Sequence, residues 1–528
     1  MKQPSAWRSG LALAIPLIAT GTALFLYLAS APPGLTWAHF GADGAELLAA
    51  ARSNGVPHPP GYPFYILLLQ GWLRLVAGII QGQSFAWYGN LLSCLFAAAS
   101  VGVTVQVVSK LLVAQPPRPW FWAGVTGLAW AVAPLAWGQA VITEVYALHM
   151  LLVALLGLVL FTPHTRWWWL TLVIAFGVAH HLTFFLLLPA ALYYRWHTGG
   201  GGWRVLWQTA GVMALGVVIG LLFYIRIPLA AATMPPSPIN WGYPKDWAGF
   251  WWLVSGAAYR GYLFSAPSST ILGRIAAWAN TLTSQYTPVG LALALLGLSH
   301  WDRHQSALRN FSLLWIIPVS LYSINYYTRD SEIYLLPVVW LSAIWLGVGL
   351  SVVLAWLKTE GGLWWQRVRP QAPWAFDKVA LALAGVALIG LIGLIGWRWS
   401  TQSLHQDRQV DTFINGVLDV IDDDSIIVSS ADAETFALWY AAWGDGALLE
   451  HAPQVVLLNY ALYQFPWYQR LMAILYPDVV GNSTSFEEIL AHNAGRRTIY
   501  FSEKFAFWPA EQMEPVGPLW RYRPPIRN

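Results

Sequence analysis

The chain has 528 residues, of which 57% are hydrophobic and only 10% charged, against about 25% charged in a soluble domain. The net charge of +4 is small and its basic residues are scattered through short loops, which excludes a nucleic-acid partner from the reading. One cysteine, Cys94, permits neither an intramolecular disulfide nor a cysteine zinc cluster.

What remains is a membrane protein, and 34 Trp and 23 Tyr suit amphipathic rings at headgroup level on both faces of a bilayer. A hydrocarbon core of about 30 Å needs roughly 20 apolar helical residues. Charge-free runs lie near 10–30, 85–113, 120–137, 145–161, 167–194 and 205–225, and a second set near 287–298, 311–326, 333–357 and 379–397. The first run lacks a small-residue cleavage site and is read as an uncleaved helix rather than a signal peptide.

Basic residues in short loops (Lys2 and Arg8, Lys110 and Arg118, Arg166, Arg195 and Arg204, Arg303 and Arg309, Arg367 and Arg369) place those loops in the cytoplasm by the positive-inside rule. The stretch 167–194 has such flanks at both ends, so it is expected to cross twice, turning near His180 and His181. About eleven crossings result, with the amino end cytoplasmic and the loops 31–60 and 226–286 and the carboxy-terminal region extracytoplasmic. The segment 62–80, interrupted by Gln70 and Arg74, is expected as an interfacial helix.

In the first outer loop, Asp43 and Glu46 stand three apart. If Asp43 opens a short helix, it is placed to cap it and both carboxylates share one face; a solvated cap is the plain alternative. The following His58-Pro-Pro-Gly-Tyr-Pro is a stiff turn that suits a positioned site, so His58 is a substrate-binding candidate. Glu144 ends an apolar turn almost free of other charge, which makes it a functional candidate by default. His180, His181 and Arg226 are candidate donors to a lipid phosphate. Arg260, beside Tyr259, is placed to meet an anion, and Asp330 lies in the outer stretch 325–334.

Beyond about residue 400 no long apolar run occurs. Apolar segments at 425–430, 455–460 and 498–501 alternate with helix-like segments at 434–443 and 466–476, which reads as a small α/β domain. The Asp422-Asp-Asp run reads as a solvated turn.

The stretches 41–63, 137–146, 177–183, 241–260, 324–337 and 433–440, in that order, resemble the GT-C superfamily of lipid-linked-sugar transferases, most closely its protein O-mannosyltransferase-like branch. The likeness covers nearly the whole chain. It implies an α-helical polytopic membrane fold over 1–399 and an extracytoplasmic α/β domain over 400–528. It also places an acid at the reaction centre on Asp43, with Glu46 nearby, and matches Glu144 to the acid of the second outer turn. The family's Trp-Gly-Asp is loosened here to Trp37, Gly41 and Asp43, and Tyr243 stands where an acid is usual, which weakens any role for that position.

The expected activity is hexosyl transfer from a polyprenyl-phosphate sugar, with mannose the candidate, to a hydroxyl of an unidentified protein, lipid or glycan acceptor. Asp43 would act as base, and His180, His181 and Arg226 would meet the leaving phosphate. Membrane lipids are the other expected partners; no cofactor and no metal are expected, and the expected location is a bacterial plasma membrane. The rival classes are a lipid or polysaccharide transporter or flippase, for which the sequence shows neither a repeat nor midplane acids, and a noncatalytic scaffold.

Overall fold

The computed structural model describes residues 6–113, 116–505 and 510–523; Lys2, one of the basic residues used for orientation, lies outside them. Six helices among these residues are long and apolar enough to cross a membrane: 12–30, 85–111, 203–231, 306–325, 331–368 and 376–402. The apolar pair Pro119–Ala131 and Pro134–Ala140, bent by 71°, has the form of a broken span or a re-entrant loop and brings the number to seven if counted as one span; the break falls where Pro134 cannot donate to the preceding turn. Shorter apolar helices span Pro63–Ile79, Tyr146–Phe161 and Trp167–His180; the expectation of about eleven crossings counted several such segments.

The loop 31–60 carries the helix Asp43–Arg52, the short helix considered for Asp43 in the sequence, and one expected boundary needs correction. The third loop is shorter than 226–286, because Arg226 opens the helix Arg226–Ala231 and Ile271–Gln285 is helical. The turn expected near His180 and His181 is a helix break: Trp167–His180 ends, His181 is extended, and a tight helical stretch Leu182–Leu187 leads into Leu188–Thr198.

The tryptophans divide into two groups, where the sequence was read as placing them at headgroup level. Trp167, Trp203, Trp247 and Trp251 are exposed, whereas Trp130, Trp137, Trp315 and Trp340 are fully buried in the bundle. The indole N–H of each of these four buried rings finds an acceptor, as buried Trp usually does: Ser100 Oγ at 3.1 Å, Ser30 Oγ at 2.8 Å, the Pro337 carbonyl at 2.9 Å and Thr104 Oγ1 at 3.0 Å, respectively.

After the helix Phe376–Gln402 the chain forms a five-stranded sheet: β1 (Ser425–Ser429), β2 (Val456–Asn459), β3 (Thr498–Phe501), β4 (Met513–Val516) and β5 (Leu519–Tyr522), in the order β2-β1-β3-β5-β4. β1 pairs parallel with β2 and β3, setting Ile427 beside Leu457 and Tyr500, and all five of its residues are buried, as a central parallel strand requires. The β4–β5 hairpin was not foreseen; Pro515 demotes that segment as a strand, and β4 is in fact the sheet edge, where proline is tolerated. The Asp422-Asp-Asp turn binds back to its surroundings, through Asp422 to the Tyr500 hydroxyl at 2.9 Å and Asp424 to Arg497 at 2.5 Å.

This region is bolted to the first outer loop. Thr36 Oγ1 donates to Asp407 at 2.5 Å, the Trp37 indole to the Ala433 carbonyl at 3.2 Å, and Arg52 Nε to the Gly444 carbonyl at 3.2 Å.

Inside the bundle, the helices Pro288–His304 and Leu336–Val368 touch backbone to backbone. A Cβ at Gly349 would lie 1.8 Å from the Leu293 carbonyl oxygen, and one at Gly297 would lie 2.0 Å from that of Trp345. Small residues permit such approach where no hydrophobic drive separates helix from lipid. Gly349→Leu is therefore expected to lower stability by at least about 1–3 kcal/mol, read as a fall in the thermal unfolding midpoint in detergent; an unchanged midpoint would show that the helices do not meet this closely.

Candidate active site

The site starts at the helix Asp43–Arg52. Its first turn lies against the turn before Tyr146, since a Cβ at Gly44 would come within 2.4 Å of the Thr143 carbonyl oxygen; only glycine allows this approach. Past the helix the chain is stitched to the third loop, Val56 N donating to the Ile239 carbonyl at 2.8 Å and Trp241 N to the Val56 carbonyl at 3.0 Å. It then turns at His58, with Gly61 N bonded to the His58 carbonyl at 2.9 Å and Gly61 at φ 87°.

The two carboxylates do share a face, and what they share is one imidazole. Glu46 is wholly buried and takes the His58 Nδ1–H in a short hydrogen bond, while the His58 backbone N–H donates to Glu46 Oε1 at 3.2 Å. The other ring nitrogen, Nε2, lies 3.2 Å from the Tyr62 hydroxyl and 3.6 Å from Asp43 Oδ2. Burial alone would lower the His58 pKa, but Glu46 and Asp43 outweigh it and raise it to about 10, so His58 is an imidazolium at neutral pH.

Asp43 opens the helix without capping it; among the described residues its carboxylate accepts no hydrogen bond. It faces a cleft of about 1010 Å³, with 40% of its side chain open to that space while sitting deep in the protein. That depth pushes its pKa up to about 6, with His58 pulling it down and Glu46 and Asp330 adding to the rise. Glu144 is buried immediately before the helix Tyr146–Phe161 and accepts from Val145 N at 2.7 Å; burial first, then the Asp43 charge, hold its pKa well above the usual carboxylate range.

Of the residues singled out in the sequence, Asp43, His58, His181, Arg260 and Asp330 line this one cleft. Three do not. Glu46 lies beneath His58 and faces no open space. His180 is fully buried, its Nε2 donating to the Val145 carbonyl at 2.8 Å. Arg226 lines a separate apolar groove of about 490 Å³ and donates to the Gly55 carbonyl at 3.1 Å. Nor do Asp43, Glu46 and Glu144 form an oxygen cage, and no group of three or more metal-ligating side chains occurs among the described residues.

Sequence reasoning missed several members of the site. Tyr62, Tyr146, Tyr259, Tyr326 and Tyr334 line the cleft, as do Arg329 and, from the carboxy-terminal region, Asp432. Arg274 holds the wall together, its guanidinium donating to the carbonyls of Ser323 and Ile324 at 2.9 and 2.5 Å and to Ser331 Oγ at 2.9 Å. The guanidiniums of Arg260 and Arg329, by contrast, make no hydrogen bond or ion pair among the described residues. The only available signal was adjacency: Arg329 precedes Asp330, and Asp432 precedes the stretch 433–440.

A family model described as the Protein O-mannosyl-transferase TMEM260 N-terminal domain matches residues 43–198, a stretch that begins at Asp43 itself. The chain is 24% identical over 90% of its length to the Protein O-mannosyl-transferase TMEM260 of Mus musculus, and 20% identical over 88% of its length to that of Dictyostelium discoideum. It spans 66% and 61% of those proteins, just under two thirds. Its fold matches crystal structures of ArnT from Cupriavidus metallidurans, in the apo state at a TM-score of 0.54 over 96% of both chains, and bound to undecaprenyl phosphate at 0.55 over 98% of both, at 14% identity. The chain thus has the fold of ArnT and is similar in sequence to the protein O-mannosyl-transferases TMEM260, in keeping with the GT-C, O-mannosyltransferase-like resemblance read from its sequence. It is a multi-pass membrane protein.

The charge of His58 depends on Glu46. Glu46→Gln is expected to move the His58 titration from about 10 down toward the neutral range, because the largest stabilising charge is removed. Imidazole NMR with pH checks this; a His58 that stays charged through pH 9 in the variant would show that Glu46 does not control it.

Proposed function

We propose that the chain is a membrane glycosyltransferase that moves a hexose from a polyprenyl-phosphate donor to a hydroxyl acceptor at the extracytoplasmic face. The observation that carries this reading is the cleft: it combines Asp43, a carboxylate with no protein hydrogen bond and a pKa pushed up to about 6, with two unpaired guanidiniums, Arg260 and Arg329. The names of the relatives, protein O-mannosyl-transferases, and the undecaprenyl phosphate held by the ArnT of like fold support mannose as the sugar, a protein hydroxyl as the acceptor and a polyprenyl phosphate as the carrier.

In the proposed step the acceptor oxygen attacks the anomeric carbon, a new glycosidic C–O bond forms, and the bond from that carbon to the donor phosphate breaks. Asp43 takes the acceptor proton, and the lipid phosphate leaves with the bonding pair. Arg260 and Arg329 meet its charge. His58, fixed as a cation, keeps Asp43 ionised despite its depth. Residues 1–399 form the transmembrane unit and 400–528 an extracytoplasmic α/β unit, with the amino terminus cytoplasmic; the eukaryotic relatives lend no support to a bacterial location.

Asp43→Asn in lipid-reconstituted protein, supplied with polyprenyl-phosphate mannose and serine- and threonine-bearing peptides, is expected to cut transfer by about 10²- to 10⁴-fold at unchanged thermal stability. Equal transfer by the variant would remove Asp43 from the role of base. Wild-type transfer is also expected to fall as the pH drops through about 6, because protonated Asp43 accepts no proton; a rate flat from pH 7 to 5 would contradict this.

A further inference from the structure

The carboxy-terminal sheet region reaches into the cleft through the helix Asp432–Trp439, whose first residue, Asp432, and Phe436 form part of the wall. That helix packs directly on the helix Asp43–Arg52. The contact is fixed at both ends, by the Trp37 indole on the carbonyl of Ala433, next to Asp432, and by Arg52 on the carbonyl of Gly444. Two helices from distant parts of the chain thus open toward one cleft, each with an aspartate as its first residue.

Asp432 is exposed to that space and makes no hydrogen bond or ion pair among the described residues. Its pKa is pushed up to about 6, first by burial at the depth of the cleft and next by the Asp43 charge. A carboxylate held beside another acid, with no partner of its own, works against the resting fold, so its use lies with what enters the cleft. A donor phosphate would be repelled by it. An acceptor brings N–H and O–H groups, and it approaches from the side on which the sheet region sits rather than from the bilayer.

We infer that Asp432 is an acceptor-binding residue: it accepts a hydrogen bond from the backbone or side chain of a hydroxyl-bearing peptide and so presents that hydroxyl to Asp43. This rests on the glycosyltransferase reading and gives the sheet region its task, which is to form the acceptor wall. Because the two aspartates ride on helices bolted together, the distance between the hydroxyl held and the base that deprotonates it is set by the fold.

The test is steady-state kinetics of the full chain in lipid, with polyprenyl-phosphate mannose and a serine- and threonine-bearing peptide as probes. The slow release of mannose to water without peptide is followed in parallel. Asp432→Asn is expected to raise the peptide KM by about 10-fold or more, the loss of a hydrogen bond to a charged group, while the donor KM stays unchanged and release to water shows that the variant is still folded and loaded with donor. Asp432→Glu is expected to restore most of the peptide affinity, and Asp432→Ser repeats the loss should the asparagine variant fold poorly. An unchanged peptide KM in folded Asp432→Asn, or an equal rise in donor KM, would overturn the assignment while leaving the glycosyltransferase reading intact. Absence of wild-type transfer and release alike would overturn both.

Discussion

The site depends on one buried ion pair, Glu46 with His58. A wholly buried carboxylate is costly unless it is paired and hydrogen-bonded, and Glu46 meets that demand by taking two donors from the same residue, the ring and the backbone N–H of His58. The pair in turn fixes His58 as a cation with its second nitrogen turned to Asp43. Removing either partner leaves an uncompensated buried charge, the case in which breaking an ion pair costs most.

The rest of the architecture serves that pair. The helix carrying Glu46 is pinned by the close approach of Gly44 to Thr143, the segment leading to His58 is stitched to Ile239 and Trp241, and Arg226 clamps the carbonyl of Gly55 just before it. The bundle below is held by means proper to a membrane: the indoles of Trp130, Trp137, Trp315 and Trp340 each find an acceptor, and glycine lets helix backbones touch. A carboxylate and a cation held in fixed register are what the proposed transfer would need from its scaffold.

Much of this was legible in the sequence because the signals were local. Apolar runs gave the helices, the spacing of Asp43 and Glu46 put them on one face, and the prolines after His58 marked a positioned turn. The sequence did not say that Glu46 points inward and Asp43 outward, since both follow from how the helix packs. His180 and His181 are indistinguishable as letters, yet one ends a helix bonded to Val145 and the other breaks from it into the cleft. Arg226 was assigned to the phosphate on charge alone, and the fold places it in another groove. Asp432 stands 389 positions from Asp43 in the numbering, so only the docking of the sheet region brings them to one cleft.

A structure of the chain in lipid with a hydrolysis-resistant polyprenyl-phosphonate mannose tests the account most directly. The phosphonate is expected in the cleft, held by Arg260 and Arg329, with the anomeric carbon facing the space between Asp43 and Asp432. A phosphonate seated instead in the groove beside Arg226, with the cleft around Asp43 free of sugar, would contradict it.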